Sequence, residues 1–319
     1  MFSLLFDARA TITSAPFFQA FPAQMSAAQN PLSELRRQID EIDTALHDLI
    51  MRRTEVVQEI AAVKGRTNGA AFHLPGREAE VIRRLVRRHR GPFPKPALVR
   101  IWREMISALI RLQGPFAVAV YAPDDRLAYW DLARDHYGAL TPIVAHASTG
   151  QVVSAVTEGA AAIGILPMPE QDERGPWWRA LVGNDPKLLP RVVARLPFGA
   201  GAARGVPREA LAISLGQPES TGHDRSLLVI ETRREISRSA LKSTLTALGF
   251  EPALLQARRE PSGSDRRLYL IEIAGFSDAE DPRLPRLVEE HREDVAQVWR
   301  IGGYAVPLTA EELGLPKRA

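Results

Sequence analysis

The sequence predicts a multidomain chain: an all-α segment, then an α/β segment, then an α+β segment. Three observations predict it. Apolar residues recur at steps of three and four between Leu32 and Gln113, which is the helical period. After Gln113-Gly114-Pro115 the pattern changes to short apolar runs alternating with helical stretches, as in a parallel α/β unit. From residue 223 the elements follow the order β-α-β-β-α-β, that of a ferredoxin-like fold. A chain of 319 residues has room for two or three domains.

The first helix opens at Asn30-Pro31-Leu32-Ser33, with Asn30 as N-cap and Pro31 at the first helical position. Its apolar stripe is Leu32, Leu35, Ile39, Ile42, Leu46, Leu49, Ile50, Val56, Val57, Ile60 and Val63. No Gly or Pro interrupts Leu32 to Lys64, so the helix runs about 33 residues, or roughly 50 Å. That length predicts a partner chain. Gly65 and Thr67-Asn68-Gly69 end it, as glycine ends helices generally. A second helix runs from Pro75-Gly76-Arg77-Glu78 to Arg88 and is broken by Gly91-Pro92-Phe93-Pro94. A third runs from Lys95 to Gln113.

Five elements follow: strands at Phe116 to Tyr121, Thr141 to Ala145 and Ala161 to Leu166, and helices at Arg126 to Tyr137 and Thr149 to Glu158. The last segment has strands at Ser226 to Glu231, Ala253 to Arg258, Arg267 to Ile273 and Val295 to Ile301. Its helices span Ser237 to Leu248, ended by Gly249, and Pro285 to His291. The expected divisions are 1–29, 30–114, 115–222 and 223–319. Residues 1–29 are read as a disordered arm, or as sequence ahead of a true start at Met25.

Composition narrows the partners. There is no Cys, hence no disulfide framework and no thiolate zinc site. No apolar run reaches the roughly 18 residues that span a bilayer. Met1-Phe-Ser-Leu-Leu-Phe6 is apolar, but Asp7 and Arg9 follow at once, so it reads poorly as a secretory signal. A soluble cytoplasmic protein is expected. Residues 30–114 carry 16 Lys or Arg against 10 Asp or Glu. Such a surface attracts polyanions, but the strands that follow lack the aromatic, basic platform of single-strand binders. A small anionic substrate accounts for the bias without nucleic acid.

Six residues stand out on the helical segment: Arg36, Arg53, Lys64, Arg77, Glu78 and Gln113. They include no nucleophile paired with a base and no metal-ligand cluster. Fixed positive charges and a few hydrogen-bonders catalyse by positioning and electrostatics. Arg53 and Lys64 are eleven residues apart, so they share a face roughly 16 Å apart. Arg36 lies roughly 25 Å up the axis from Arg53, too far for one small molecule on a straight helix. A two-fold dimer removes the difficulty, since Arg36 of one chain then completes the other's pocket. Taken singly, each such residue is an ordinary solvated charge, as expected of Arg37, Arg52, Arg83, Arg84, Arg87, Arg88, Arg100 and Arg103. His47, His73 and His89 share no ligand spacing and read as surface histidines. Trp102, with Ile101, Met105 and Ile106, reads as core.

The ordered set is more specific. Pro31-Leu-Ser-Glu-Leu-Arg36 through Asp43, Leu49 to Arg53, Val63-Lys64, Gly76-Arg77-Glu78, Ile101-Trp102-Arg103-Glu104 and Gln113 together resemble the all-α chorismate mutase family over about 85 residues. The resemblance implies an interlocked helical homodimer that converts chorismate to prephenate without cofactor or metal. It implies that Arg36 of the partner chain and Arg53 grip the two carboxylates. Lys64 and Gln113 would point at the ether oxygen, and Arg77 and Glu78 would orient the ring hydroxyl and enolpyruvyl group. The implied catalytic residues are Lys64, Gln113, Arg53 and Glu78. The chain departs from the family at Leu74, where an acidic residue is usual, and at Leu109, where Ser is frequent.

Residues 115–222 resemble a reduced prephenate dehydratase domain, and a generic α/β spacer is the alternative. Asp224-Arg225-Ser226 stands where that family carries a catalytic Thr-Arg-Phe, so dehydration is expected to be lost. Residues 223–319 resemble an ACT-type regulatory domain. Ser239-Ala240-Leu241 and Gln256-Ala257-Arg258-Arg259 replace its amino-acid-binding Gly-Ala-Leu turn and Glu-Ser-Arg-Pro segment, so phenylalanine is expected to bind poorly. Two other readings stay open: an isochorismate pyruvate-lyase on the same scaffold, and a non-catalytic metabolite-binding regulatory protein.

Overall fold

A computed structural model of the chain describes residues 31–64, 73–123, 128–170, 176–183, 185, 188–199, 209–259 and 266–316. The side chains of Lys64 and of residues 254–259 lie outside the described set, as do the proposed N-cap Asn30 and the whole of 1–29.

Helix α1 runs Pro31–Lys64, α2 Pro75–Arg88 and α3 Lys95–Gln113, within a residue of the sequence reading. Each has a proline in its first turn, Pro31, Pro75 and Pro96, because its fixed φ suits that turn and its missing N–H is not needed there. The chain divides into two compact units after Arg53, within α1. In the first unit the apolar stripe of α1 is open to solvent: Leu35, Ile39, Ile42, Leu46 and Leu49 are each more than half exposed. Isolated helices gain little from propensity alone and are held mainly by packing of their apolar face.

The second unit, residues 54–319, is built on a nine-stranded sheet. After α3 come β1 (Val118–Tyr121), α4 (Ala128–Tyr137), β2 (Ile143–His146), α5 (Thr149–Thr157) and β3 (Ile163–Pro167). A capping box starts α5: the Ser148 hydroxyl accepts from Gln151 N–H and the Gln151 side chain accepts from Ser148 N–H. Both orphan donors of the first turn are thereby satisfied. A 3₁₀ turn at Trp177–Leu181 follows, then β4 (Arg191–Leu196) and β5 (Ala210–Ser214). The last elements are β6 (Asp224–Thr232), α6 (Arg238–Ala247), β7 (Pro252–Arg259), β8 (Arg267–Ala274), α7 (Arg283–Glu290) and β9 (Val295–Ala305).

The strand order is β2-β1-β3-β5-β4-β9-β6-β8-β7. Strands β1, β2 and β3 are parallel, but β5 runs antiparallel to both β3 and β4. The parallel α/β unit expected from the sequence is present in β1 to β3, and β5 makes the remainder of this half antiparallel. The sequence reading had no strand at β4 or β5; β4 runs in the same direction as β3, and β5 lies between them, opposite to both. The last four strands lie in the order β9-β6-β8-β7, all antiparallel, with α6 and α7 as crossovers. The division expected at 222/223 falls in the loop between β5 and β6, and the sheet continues across it. The two halves meet at one parallel pairing, Val192 to Gly302.

Strand alternation divides the core. Leu227 and Val229 face one side with Trp177, Trp178, Leu181, Val152 and Val192. Leu228 and Ile230 face the other with Leu241, Leu245, Phe250 and Leu287 of the α6–α7 layer. The first half packs α3 and α4 through Ile106, Ile110, Leu132 and Tyr137 against Val118, Val120 and Ile165. Helix α2 adds Ala79, Ile82 and Val86 to a cluster with Phe198, Leu308 and Leu313.

Three solvent-facing assignments are overturned. Arg83, Arg103 and His73 are buried. Arg83 donates to Thr221 Oγ1 at 2.9 Å and to the carbonyls of His223 and Val306 at 3.1 and 2.5 Å. Its guanidinium lies 5.4 Å from the Phe198 ring centre, and that of Arg103 5.1 Å. A buried charge needs such partners, and those of Arg83 come from more than a hundred residues away. Conversely, Ile101 is half exposed, while its neighbour Trp102 packs against both helical clusters.

Candidate functional site

Each candidate residue takes its place from its helix. In the first unit Arg36 is exposed. Arg53 is half-buried, and its Nη1 is shielded from solvent without a hydrogen-bond partner. Burial lowers the Arg53 pKa, yet a guanidinium stays charged. A shielded, unpartnered donor on a permanent cation suits an incoming carboxylate.

In the second unit Lys64 is the last residue of α1, and its side chain lies outside the described residues. Arg77 is exposed and pairs with Glu80 at 3.1 Å, one turn along α2. Gln113 is half-buried at the end of α3, where its Nε2 donates to Leu109 O at 3.1 Å. The amide's second hydrogen and its oxygen are the groups that would meet a ligand. Leu109 is buried in the core, and Leu74 stands at the N-cap of α2 without a side-chain cap.

Glu78 differs most from expectation. It is buried and accepts from Arg103 Nη1 at 2.7 Å through Oε2. Its Oε1 has no hydrogen-bond partner and lies 3.6 Å from His73 Nε2. Burial raises the Glu78 pKa against the opposing pull of Arg103. Burial likewise lowers that of Arg103, which Glu78 holds up. Each is the other's counter-charge. Around the pair stand His73, whose rings contacts are with Phe116 and Tyr137 at 5.6 and 5.5 Å, and His136, 4.7 Å from Tyr137. Burial, aided by Arg103, pushes His73 down to about 3 and His136 well below its ordinary value. Both are therefore neutral near neutral pH.

Phase along the helices carried the signal for these buried charges. Glu78, Ala79, Ile82, Arg83 and Val86 form one stripe of α2, and Val99, Arg103, Ile106 and Ile110 one stripe of α3. Both arginines lie in register with apolar positions.

The Tyr137 hydroxyl is also buried and unpartnered. An unmet buried hydroxyl costs about 1–3 kcal/mol. Tyr137→Phe is therefore expected to leave the melting temperature unchanged or raise it by a few degrees, read by thermal unfolding. A clear fall would show that the hydroxyl has a partner.

Among the described residues no group of three or more His, Asp or Glu is placed to hold a metal, and no helix is long and apolar enough to cross a membrane. Asp224, which opens β6, closes a turn. Its carboxylate accepts from Thr221 N at 2.8 Å and Thr221 Oγ1 at 2.7 Å.

Residues 35–114 match the family model of chorismate mutase type II. The match covers about a quarter of the chain, and the matched segment includes all six candidate residues. Over 151 residues the chain is 30% identical to a bifunctional chorismate mutase/prephenate dehydratase of Pseudomonas aeruginosa, covering 46% of this chain and 41% of that protein. Over 96 residues it is 36% identical to the enzyme of the same description from Aquifex aeolicus, covering 29% and 26%. The chain thus spans about two-fifths of the first of these relatives. A solved prephenate dehydratase in complex with L-Phe from Arthrobacter aurescens is similar at a TM-score of 0.45 and 11% identity, covering 61% of this chain and 91% of that one.

Proposed function

We propose that this protein is a chorismate mutase that converts chorismate to prephenate in aromatic amino-acid biosynthesis. The observation that carries the reading is the match of residues 35–114 to the type II family, with Arg36, Arg53, Lys64, Arg77, Glu78 and Gln113 all inside it. The rearrangement breaks a carbon–oxygen bond as a carbon–carbon bond forms, within one molecule. It needs no proton, metal or covalent intermediate, only a held geometry and stabilisation of charge growing on the ether oxygen. Arg53 and the partner chain's copy of position 36 supply carboxylate grips, and Lys64 and Gln113 face the ether oxygen. Glu78 with Arg77 orients the hydroxyl side.

The test is turnover of chorismate by the purified full chain, with prephenate as product. Pyruvate release from isochorismate would favour the lyase. Saturable binding of chorismate without turnover would favour a metabolite sensor.

A homodimer through the helical segment belongs to the same reading. Its support is the solvent-open apolar stripe of α1. If Arg36 serves the opposite chain's site, Arg36→Ala and Lys64→Ala chains, each inactive, regain activity when refolded together. Each mixed dimer then has one intact site and one doubly defective site, so an equal mixture recovers about a quarter of native activity. No recovery in a mixture shown to contain mixed dimers defeats the shared site.

We further propose that the middle segment is a dehydratase-like domain without dehydratase activity and that residues 223–319 form an ACT-like domain with a structural role. The support is Asp224 at the catalytic Thr position, engaged in a turn, and the βαββαβ order of the last four strands. Phenylpyruvate formation from prephenate above the spontaneous rate would contradict the first part. Micromolar phenylalanine binding would contradict the second.

A further inference from the structure

We propose that Arg103 is the positioning residue for Glu78, fixing both the charge and the orientation of its buried carboxylate. The inference deepens the mutase reading and rests on it for the use made of Glu78.

The geometry carries it. Glu78 and Arg103 come from different helices, are 8% and 4% exposed, and meet at 2.7 Å. One carboxylate oxygen is bound and the other, Oε1, is left without a hydrogen-bond partner. A carboxylate held by one edge presents its free edge in a fixed direction. The groups facing the pair are His73 ahead of α2 and His136 and Tyr137 on α4. Glu104, the one acid of α3, accepts instead from the Ala139 backbone N–H. His73 and His136 are neutral, and burial with Glu78 raises the tyrosine. Arg103 is thus the one full positive charge beside Glu78 among the described residues. Without it, a carboxylate buried here is driven to its neutral form.

The test uses the full chain with Arg103→Met, Arg103→Lys, Glu78→Gln and the Arg103→Met/Glu78→Gln double variant. Folding is checked by circular dichroism. Rates are followed between about pH 5 and pH 9. In Arg103→Met, kcat at neutral pH is expected to fall about 10²-fold, with a smaller change in KM. The acid limb of its pH profile moves up by about one pH unit or more, because the carboxylate now protonates at higher pH. Arg103→Lys keeps the charge in another shape, so the limb stays while kcat falls on the order of tenfold. A purely structural role lowers stability without moving the limb.

Infrared difference spectra give a second readout that needs no turnover. Folded Arg103→Met at neutral pH is expected to show the band of one buried protonated carboxyl, absent from the double variant. A folded Arg103→Met with the native acid limb and no such band overturns the proposal. Should Arg103→Met fail to fold, Arg103→Lys decides, and an unchanged kcat there overturns it. A wild-type chain without turnover sinks the mutase reading alone, and the infrared band still decides the role of Arg103.

Discussion

Lys64→Ala is expected to abolish most chorismate turnover while the protein stays folded. The residue closes α1, and Gly65 follows it. As structure, it does little: a cation in the last turn of a helix is worth about 0.3–1 kcal/mol through the helix dipole. As a preorganised donor at an oxygen that gains charge only in the transition state, it is worth far more. Removing one such donor typically costs about 10²–10³ in rate, or roughly 2.7–4 kcal/mol of barrier. The two roles therefore separate by magnitude. A stability change of under about 1 kcal/mol with a rate loss of about 10²-fold or more identifies the catalytic role. The loss belongs in kcat, because a group that acts only in the transition state leaves ground-state binding largely intact. Lys64→Arg tests charge against shape. It keeps the cation but spreads it over a planar fork, so partial recovery is expected. Near-native turnover by folded Lys64→Ala would remove Lys64 from the mechanism, and with it the electrostatic account of catalysis.

The helical segment was legible because its ends are marked locally. Pro31, Gly65, Pro75, Gly91 and Gly114 each act on the backbone at their own position, so the sequence reading placed α1, α2 and α3 within a residue of the structure. The β-α-β-β-α-β order of the last segment was legible for the same reason, with Gly249 ending α6 at a positive φ. Strands β4 and β5 were not legible. Val192-Val193-Ala194 sits between two arginines, and only the long-range partners of Arg191 and Arg195 make a strand of it. Arg191 donates to the carbonyl of Arg300, and Arg195 to Glu209 and the Tyr304 hydroxyl. The same limit hid the burial of Arg83 and Arg103. Their helical phase was visible, but Phe198, Thr221, His223 and Val306 are neighbours only after folding. At the candidate site the sequence identified residue types and order. It did not show that Glu78 is tied to Arg103, or that Gln113 is bonded to its own helix.

Gly302→Ala is expected to be among the most damaging single substitutions in the chain. The position is the meeting point of the two sheet halves. Gly302 pairs with Val192 of β4 on one side and with Leu227 of β6 on the other. Its φ is +135°, a region essentially closed to residues with a Cβ. Space is closed as well. A Cβ built on Gly302 would lie 2.8 Å from the Val192 carbonyl carbon and closer still to that residue's oxygen and nitrogen. All three are backbone atoms inside a strand, so no side-chain rotation relieves the overlap, and the pairing itself must open. Opening it parts β4 from β9, where Val192, Ile301, Tyr304 and Leu227 share one core with Trp177 and Trp178. Strain of about 1–3 kcal/mol from the backbone adds to the loss of that packing, where a single buried aliphatic is worth about 1.5–3 kcal/mol. The expected total exceeds about 4 kcal/mol, which lowers the melting temperature by roughly 10 °C or more in a unit of this size. Gly150→Ala is the control: it sits in α5 with nothing within 4 Å of a built Cβ, and alanine there is neutral or slightly stabilising. Both variants are read by thermal unfolding of the full chain. If Gly302→Ala melts within a degree or two of Gly150→Ala, the Val192–Gly302 pairing does not join the halves, and the single continuous sheet is wrong at its centre.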